Sequence, residues 1–500
     1  MAELPTGTIA DLVMKAAATV PRHLALVEAP GGASLTWQAL DAAVDAYARV
    51  LAEHGLTQGD RVVLLLPNGL EFCVALFGVI RAGGVAVPVD TESAPPEVER
   101  VVEHCGAELA LGLGGDAAAT ALPAPVLDAE PGEPFAAVGG GEDLAVLCYT
   151  SGTGGLPRGV MLSHRALLAN VEQCAALRPA PVTAQDRVLL ALPLSHAYGL
   201  SGLWQVAAAG ATGVLLDHFA VGSALAACQE RRISTVVGVP AMYRAFVGAG
   251  AERLGEALST VRLATSGAAP LDPGVLAGFR RETGLSIYEG YGLTETGPVL
   301  TSTLASGVAK PGSVGKPLPG VELRLVDSDG STIDVPAEDD EISYGEEETG
   351  TGLVAARGPN LFSGYWPDGA HGPDADGWFR TGDVGYLDPD GDLRLVDRAN
   401  DLIIVNGFNV YPHEVERVVG ELPEVAEAAA VGVPDERAGE RVKVVVVLRP
   451  GAELTEDGVR AHCAQNLARF KVPAAVEFTD ALPHSVTGKI RRAGLRGPRR

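Results

Sequence analysis

Short apolar runs that alternate with helical patterns constrain the fold of this chain more than any other feature of its sequence. The runs fall at residues 61–66, 85–89, 144–149, 187–191, 213–216 and 235–239. Strands that alternate with helices are typical of βαβ units, in which each helix connects two parallel strands. We therefore predict an α/β fold built on parallel sheets.

The pattern changes twice toward the C-terminus. After residue 311 the chain turns to short strands separated by turns, such as the run 321–326 before the turn 327–330, which predicts a β-rich subdomain. A second change lies near residues 397–401. About a hundred residues follow it with their own helix and strand signals, including the run 442–448, and they are enough for a small α+β domain.

The charge balance excludes several classes of partner. Sixty-three acidic residues against 38 basic ones give a net charge of −25, so nucleic acids and anionic membrane surfaces repel the chain. The N-terminus lacks the features of a signal peptide, and prolines, polar residues and glycines interrupt the longest uncharged stretch, 188–216. We expect a cytoplasmic protein that binds no nucleic acid and does not insert into membranes.

The cysteines indicate a reducing compartment. None of the six belongs to a C-x-x-C pair, and most lie in apolar runs. This pattern predicts buried thiols rather than disulfides or zinc ligands.

The strongest local motif is the segment 149–160, Tyr-Thr-Ser-Gly-Thr-Gly-Gly-Leu-Pro-Arg-Gly-Val, between an apolar strand and the helical stretch 163–175. Its glycines allow several backbone N–H groups to point at one anion, its hydroxyls add donors and Arg158 adds charge. It is not a Walker motif. A glycine run alone is more often an ordinary loop, but the motifs below favour phosphate binding. The predicted phosphate-binding residues are Thr150, Ser151, Gly152, Thr153, Gly154 and Arg158.

Four further motifs follow in order: Tyr-Gly-Leu-Thr-Glu at 291–295, Arg-Thr-Gly-Asp at 380–383, Asp-Arg-Ala-Asn-Asp at 397–401 and Val-Thr-Gly-Lys-Ile-Arg at 486–491. Together with the segment 149–160 they resemble the adenylate-forming superfamily, which contains acyl-CoA synthetases, carrier-loading adenylation domains and firefly luciferase. The resemblance covers essentially the whole chain. It implies an N-terminal adenylate-forming domain at 1–397 and a mobile C-terminal domain at 401–500, with a hinge near Asn400.

The resemblance also implies roles for individual residues. A hydroxyl beside a hard carboxylate suits phosphate and Mg²⁺, and a compact ammonium suits the neutralisation of developing charge. The predicted catalytic residues are Lys489, Thr294, Glu295 and His196, with Glu295 also the metal ligand. The predicted nucleotide-binding residues are Gly267, Ala268, Ala269, Tyr291, Gly292, Asp383 and Arg398, and Gly407 and Phe408 are predicted to bind CoA.

The implied activity is that of an acyl-CoA ligase, which uses ATP, Mg²⁺ and coenzyme A. It joins an apolar carboxylic acid to AMP, and the CoA thiol then displaces AMP. The segment around His196 offers no acidic residue for a substrate ammonium, which favours an acid without an α-amine. Two alternatives also stay open: an enzyme that loads a separate carrier protein, and a non-catalytic ligand-binding relative.

The phosphate loop departs from the pattern of the family it resembles, which usually reads S-G-T-T-G-x-P-K-G. Here Gly154 replaces the second threonine and Arg158 replaces the lysine. One hydroxyl donor is lost, and a guanidinium does not replace an ammonium at a point-charge site. A third alternative follows, in which adenylation is weak and the chain makes thioesters from an adenylate supplied by a partner enzyme.

Overall fold

The computed structural model describes residues 5–113, 119–151, 157–327, 330–333, 350–398, 403–405, 408–435, 439–467, 469–484 and 490–496. It divides into two compact units. The first contains Met1–Leu323 and Ala356–Phe379, and the second contains Arg324–Ala355 and Arg380–Arg500. The predicted hinge, Asn400, lies outside the described residues, and the domain bounds 1–397 and 401–500 stay a prediction.

The helices have lengths typical of a globular protein. They are α1 (Asp11–Thr19), α2 (Trp37–Glu53), α3 (Leu70–Arg81), α4 (Pro95–Cys105), α5 (His164–Ala175), α6 (Ala197–Ala209), α7 (Val221–Glu230), α8 (Pro240–Gly248), α9 (Ala251–Ala257), α10 (Pro273–Thr283), α11 (Thr303–Ser306), α12 (Pro412–Gly420) and α13 (Glu456–Asn466). Among the described residues, no helix combines the length and the apolar character that crossing a membrane requires.

The strands include every apolar run identified in the sequence. In the first unit they are β1 (Leu24–Glu28), β2 (Ser34–Thr36), β3 (Arg61–Leu64), β4 (Val85–Pro88), β5 (Leu109–Leu111), β6 (Thr120–Ala121), β7 (Leu144–Ser151), β8 (Pro157–Ser163), β9 (Arg187–Leu190), β10 (Thr212–Leu215), β11 (Thr235–Gly238), β12 (Leu263–Ser266), β13 (Ile287–Gly292), β14 (Val299–Ser302) and β15 (Lys316–Pro317). The remaining strands are β16 (Glu322–Val326), β17 (Gly352–Arg357), β18 (Phe379–Leu387), β19 (Leu393–Arg398), β20 (Ile403–Val405), β21 (Phe408–Val410), β22 (Val425–Asp435), β23 (Gly439–Leu448) and β24 (Ala475–Phe478).

Two sheets organise the first unit. One has the order β15-β14-β13-β12-β11-β9-β10-β1-β2, and the other has the order β6-β5-β3-β4-β7-β8. The strands from β13 through β12, β11, β9 and β10 to β1 are parallel, and so are β6, β5, β3, β4 and β7. The predicted parallel α/β fold is confirmed.

Helix α3 explains how the two sheets share one core. Its sequence, Leu-Glu-Phe-Cys-Val-Ala-Leu-Phe-Gly-Val-Ile-Arg, is apolar on nearly every side, which is typical of a helix buried all round. The core cluster around it contains Val62 and Val146 of one sheet and Leu26 and Leu190 of the other. Burial of each such side chain contributes about 1.5–3 kcal/mol.

The second unit contains a β-rich sheet and a small α+β part. Strands β16, β17, β18 and β19 form a sheet in that order, and β21, β20, β23 and β22 form another, with β24 beside β23. Helices α12 and α13 contribute Val415 and Val459 to a core with Val444 of β23. Both parts agree with the sequence pattern after residue 311.

All six cysteines are free and buried, as the sequence predicts. Burial raises the pKa of Cys148 and Cys174 to about 12. These thiols therefore stay protonated at neutral pH and act as small apolar core groups.

One carboxylate ties together the amino ends of three neighbouring strands. Asp186, which precedes β9, is 3% exposed. It accepts hydrogen bonds from Ser234 before β11, from Arg262 before β12, and from the backbone and hydroxyl of Thr183. Burial raises the pKa of this carboxyl, but the bonds from Arg262, Ser234 and Thr183 outweigh burial and lower the pKa from 3.8 to about 2.

We expect Asp186→Asn to lower the free energy of unfolding at pH 7 by about 3 kcal/mol, because Arg262 loses its buried anionic partner. Since the folded pKa lies below the unfolded one, the stabilisation is present above pH 4 and lost as the pH falls toward 2. Urea unfolding at pH 7 and pH 3 measures both effects. Asp60→Asn is the matched control, because Asp60 bonds Thr57 in the same way. Equal losses in the two variants would contradict the role of Arg262.

Candidate active site

The carboxyl ends of parallel strands bring the predicted site residues of the first sheet to one edge. His196 follows β9, while Gly267, Ala268 and Ala269 follow β12. Thr294 and Glu295 follow β13. The chain order reverses at β9, which pairs with β10 on one side and β11 on the other. Open α/β sheets bind ligands at such a switch point.

The side chain of Asn68 joins this edge to the edge of the second sheet. Asn68 follows β3, and its Nδ2 donates to the carbonyl oxygens of Leu192 (2.9 Å) and Leu216 (3.1 Å). Its Oδ1 accepts from the backbone N–H of Leu194 at 2.8 Å. All the polar atoms of one amide therefore fix the loops that follow β9 and β10.

His196 stands at the end of the loop that Asn68 holds. Its backbone is the N-cap of α6 and its side chain is 33% exposed. Nε2 lies 3.8 Å from Oδ2 of Asp90, which follows β4 in the second sheet. The segment 193–199 contains no acidic residue, as the sequence indicates. The fold places an acidic residue beside it, Asp90, which follows a strand of the other sheet. Sequence reasoning missed Asp90 and Asn68, because nothing local relates them to the loop of His196.

Residues on either side of the predicted phosphate loop form an antiparallel hairpin. Strands β7 and β8 pair with Thr150 opposite Arg158 and Ser151 opposite Pro157. Helix α5, which follows β8, begins at His164 with Ser163 as its N-cap. Strand β8 lies between the predicted phosphate loop and α5 in the chain, so the loop does not lead directly into the helix.

The hairpin contacts the predicted metal ligand through a tyrosine. The hydroxyl of Tyr365 donates to Oε1 of Glu295 at 2.7 Å. The guanidinium carbon of Arg158 lies 5.5 Å from the centroid of the same ring. Burial and the nearby Glu295 raise the pKa of Tyr365 well above its ordinary value of 10, so it stays a hydrogen-bond donor. A half-buried carboxylate beside the hydroxyl of Thr294 is a donor set that fits Mg²⁺.

Backbone constraints explain the small residues of the predicted nucleotide site. Ala268 has a φ of +70°, a left-handed conformation that costs an alanine about 1–2 kcal/mol. Such strain is typical of functional sites. A Cβ at Gly292 would lie 1.9 Å from the carbonyl oxygen of Pro298, and one at Gly267 would lie 3.1 Å from the ring of Tyr198. Tyr291 is 9% exposed.

Two of the predicted nucleotide-binding residues, Asp383 and Arg398, belong to the second unit. Asp383 of β18 lies directly opposite Arg398 of β19 in the antiparallel register. Asp383 is 5% exposed, and its backbone N–H donates to the hydroxyl of Thr381. For Arg398 and Phe408 the structure describes the backbone alone.

Several predicted residues lie outside the described part of the chain: Gly152, Thr153, Gly154, Asn400, Gly407 and Lys489. The side chain of Ser151 is also not described. Their roles stay predictions.

Comparison with known proteins decides the family. The profile of the AMP-binding enzymes matches residues 13–366, and the profile of the AMP-binding enzyme C-terminal domain matches residues 414–489. The chain belongs to the AMP-binding enzyme family. The predicted membership of the acyl-CoA synthetase branch is confirmed, and with it the class of AMP-forming acid–thiol ligases.

Similar proteins match the chain over nearly its full length. It is 36% identical to a feruloyl-CoA synthase of an Amycolatopsis species, covering 96% of this chain and 95% of that protein. It is 33% identical to a long-chain-fatty-acid–CoA ligase of Yersinia pestis, covering 93% and 90%. The crystal structure of ATP-bound MatB from Rhodopseudomonas palustris is 31% identical and superposes with a TM-score of 0.87, covering 97% of this chain and 98% of MatB.

A buried carboxyl in this ligase lies on β13, between the two predicted nucleotide-binding segments. Glu289 is 6% exposed and accepts the backbone N–H of Leu271 at 3.2 Å. It pairs in register with Ser266, whose buried hydroxyl has no hydrogen-bond partner among the described residues. Burial raises the pKa of Glu289 from 4.5 to about 7, although the bond from Leu271 lowers it slightly.

We expect Glu289→Gln to stabilise the protein at pH 8 by about 3 kcal/mol, since each pKa unit corresponds to about 1.4 kcal/mol. The folded pKa lies above the unfolded one, so this residue costs stability progressively as the pH rises from 4.5 to 7. Melting temperatures at pH 5 and pH 8 measure the difference. If Glu289→Gln raises the melting temperature as much at pH 5 as at pH 8, the charge of Glu289 is not the cause of the stabilisation.

We expect Asn68→Ala to raise the KM for the carboxylic acid about tenfold, since losing hydrogen bonds worth about 1.4 kcal/mol releases the loop of His196. The KM for ATP should change much less. Steady-state kinetics with each substrate varied in turn give the comparison. Asn170→Ala is the control, because Asn170 holds Val299 by the same pair of amide bonds, away from this loop. Equal increases in the KM for the carboxylic acid in both variants would refute the prediction.

Proposed function

We propose that this chain is an ATP-dependent acyl-CoA ligase for an apolar carboxylic acid without an α-amine. The acid first reacts with ATP to give an acyl-adenylate and pyrophosphate, and the thiol of coenzyme A then displaces AMP. The free, buried cysteines favour a cytoplasmic setting. The observation that carries the proposal is the placement of His196, Thr294 and Glu295 at the carboxyl edge of one sheet, in a chain of the AMP-binding enzyme family.

Beside the loop of His196, between β9, β11 and α6, lies a patch of apolar core made of Leu189, Leu190, Leu192, Gly199, Gly202 and Val237. The gap that these residues line has no room for a water molecule, so an acyl body enters it only where their side chains move apart. No charged group belongs to that lining, so an aliphatic or aromatic body suits it better than an ammonium. Asp90 lies beside the loop, with its Oδ2 3.8 Å from Nε2 of His196.

The predicted site residues divide the chemistry between them. In the proposal, His196 faces the substrate carboxylate, and Arg158 with the phosphate loop holds the triphosphate. Glu295 would hold Mg²⁺, which would neutralise charge on the phosphate oxygens. Lys489 then stabilises the charge that develops as the carboxylate attacks the α-phosphate. Positioning and charge neutralisation supply most of the rate enhancement in such displacements.

The substitutions at Gly154 and Arg158 favour a second candidate function, in which the chain forms thioesters from an adenylate made elsewhere. Against it, Arg158 keeps a positive charge at the hairpin, 5.5 Å from the ring that bonds Glu295. We therefore place the complete two-step ligase first.

A panel of carboxylic acids tests the proposal, with pyrophosphate release and acyl-CoA formation measured separately. The two-step ligase predicts both products with at least one apolar acid. Thioester from synthetic acyl-adenylate without pyrophosphate from ATP would support the second candidate. Pyrophosphate with thioester on added carrier proteins but not on CoA would indicate carrier loading. Neither product with any acid would indicate a non-catalytic relative.

We expect Lys489→Ala to abolish acyl-adenylate formation and to leave thioester formation from supplied adenylate largely intact. The reason is that the C-terminal domain is proposed to rotate about Asn400 between the two steps and to carry Lys489 away. Single-turnover assays of each half-reaction provide the measurement. An equal loss in both half-reactions would rule out the rotation.

A further inference from the structure

Tyr365 connects three segments of the first unit that the sequence separates widely. Its hydroxyl reaches Glu295 after β13, its ring lies beside Arg158 of β8, and its backbone forms a bridge with Val160. These contacts place it between the phosphate hairpin and the proposed metal ligand.

The segment that carries Tyr365 is fixed to β8 by its backbone. The N–H of Ser363 donates to Met161 at 2.9 Å, and the N–H of Trp366 donates to Gly159 at 2.8 Å. Gly364 permits this path, because its φ is +96° and a Cβ there would lie 2.0 Å from the carbonyl oxygen of Gly369. The ring of Tyr365 therefore has a fixed place over the hairpin.

The loop of Glu295 is tied to the same region. Its carbonyl oxygen accepts the N–H of Phe362 at 3.0 Å, and Nδ2 of Asn360 donates to the carbonyl of Thr296 at 2.7 Å. The rings of Phe362 and Tyr365 meet edge to face, with centroids 5.1 Å apart. With both backbones fixed, the Tyr365 hydroxyl sets the rotation of the Glu295 carboxylate.

The ring contact explains why an arginine suits this hairpin. A planar guanidinium packs on an aromatic face, whereas an ammonium remains a mobile, strongly hydrated point charge. Arg158 is otherwise exposed, so the ring of Tyr365 restricts a side chain that would sample many rotamers.

We propose that Tyr365 is a positioning residue that holds the Glu295 carboxylate and the Arg158 guanidinium in one arrangement for magnesium-bound ATP. The inference rests on the proposed function for the identity of the ligand. It assigns a role to a residue outside the predicted site. It also explains the arginine at position 158, because the ring of Tyr365 positions a guanidinium better than an ammonium.

Tyr365→Phe removes the hydroxyl, with its interactions with Glu295 and Arg158, and keeps the ring contacts with Phe362 and Arg158. Outer partners of metal ligands typically contribute 10–100-fold to metal affinity. We expect calorimetry to show MgATP binding about tenfold weaker, with ATP binding in EDTA unchanged and the melting temperature within a few degrees of the wild type. Tyr47→Phe in α2 is the matched control and should bind MgATP like the wild type. Unchanged MgATP binding in Tyr365→Phe would overturn the proposal, as would an equal loss in EDTA.

Arg158→Lys tests the ring. If the ring of Tyr365 positions the guanidinium, Arg158→Lys weakens MgATP binding severalfold, and this penalty disappears when Tyr365 is also replaced by Leu. Tighter or unchanged binding in the single Arg158→Lys variant would overturn this half of the proposal, and that result stands even if the double variant fails to fold.

Both tests measure ATP binding and need no acid substrate. They therefore remain decisive if the wild type activates no acid in the panel, a result that would refute the proposed function alone.

Discussion

Three hydrogen bonds made by the side chain of Asn68 join the carboxyl edges of two sheets, and the candidate site depends on that junction. One edge carries the loop of His196, and the other carries Asp90 and the hairpin with Thr150 and Arg158. The predicted site draws on both sheets, because His196, Thr294 and Glu295 follow strands of the first and Arg158 lies in the second. Because an amide offers two donors and an acceptor on one rigid group, it can fix two loops at once without burying a charge.

Much of the fold could be predicted, because the signals that define it are local. Apolar runs identified the parallel strands, and ordered motifs identified the family. The contacts that assemble the site could not be predicted in this way. Asn68 and Leu194 are 126 residues apart, and Tyr365 and Glu295 are 70 apart, so no pattern within a helix or strand relates them. Strand β8 was also missed, because Pro157, Arg158 and Gly159 interrupt its apolar pattern.

Individual charged groups near the site, and not the net charge of the whole chain, decide how it interacts with anions. The chain carries a net charge of −25, yet the proposed substrates ATP and coenzyme A are polyanions. We therefore propose that individual positive groups such as Arg158 attract them, because salt screens the field of more distant charges beyond about 10 Å. Two buried carboxyls in the same unit illustrate this control. Burial raises the pKa of Asp186, but hydrogen bonds from Arg262, Ser234 and Thr183 outweigh it. Burial raises the pKa of Glu289, for which the described residues supply no cationic partner.

The central claim is that this chain activates a carboxylate by joining it to the α-phosphate of ATP. Oxygen labelling tests it most directly. The protein is incubated with ATP, coenzyme A and an acid that carries ¹⁸O in both carboxylate oxygens, and the AMP is analysed by mass spectrometry. Attack by the carboxylate leaves one labelled oxygen on AMP when the thiol displaces it, and this is the result we predict. AMP that forms without label would have taken its oxygen from water, and that result would contradict the acyl-adenylate route.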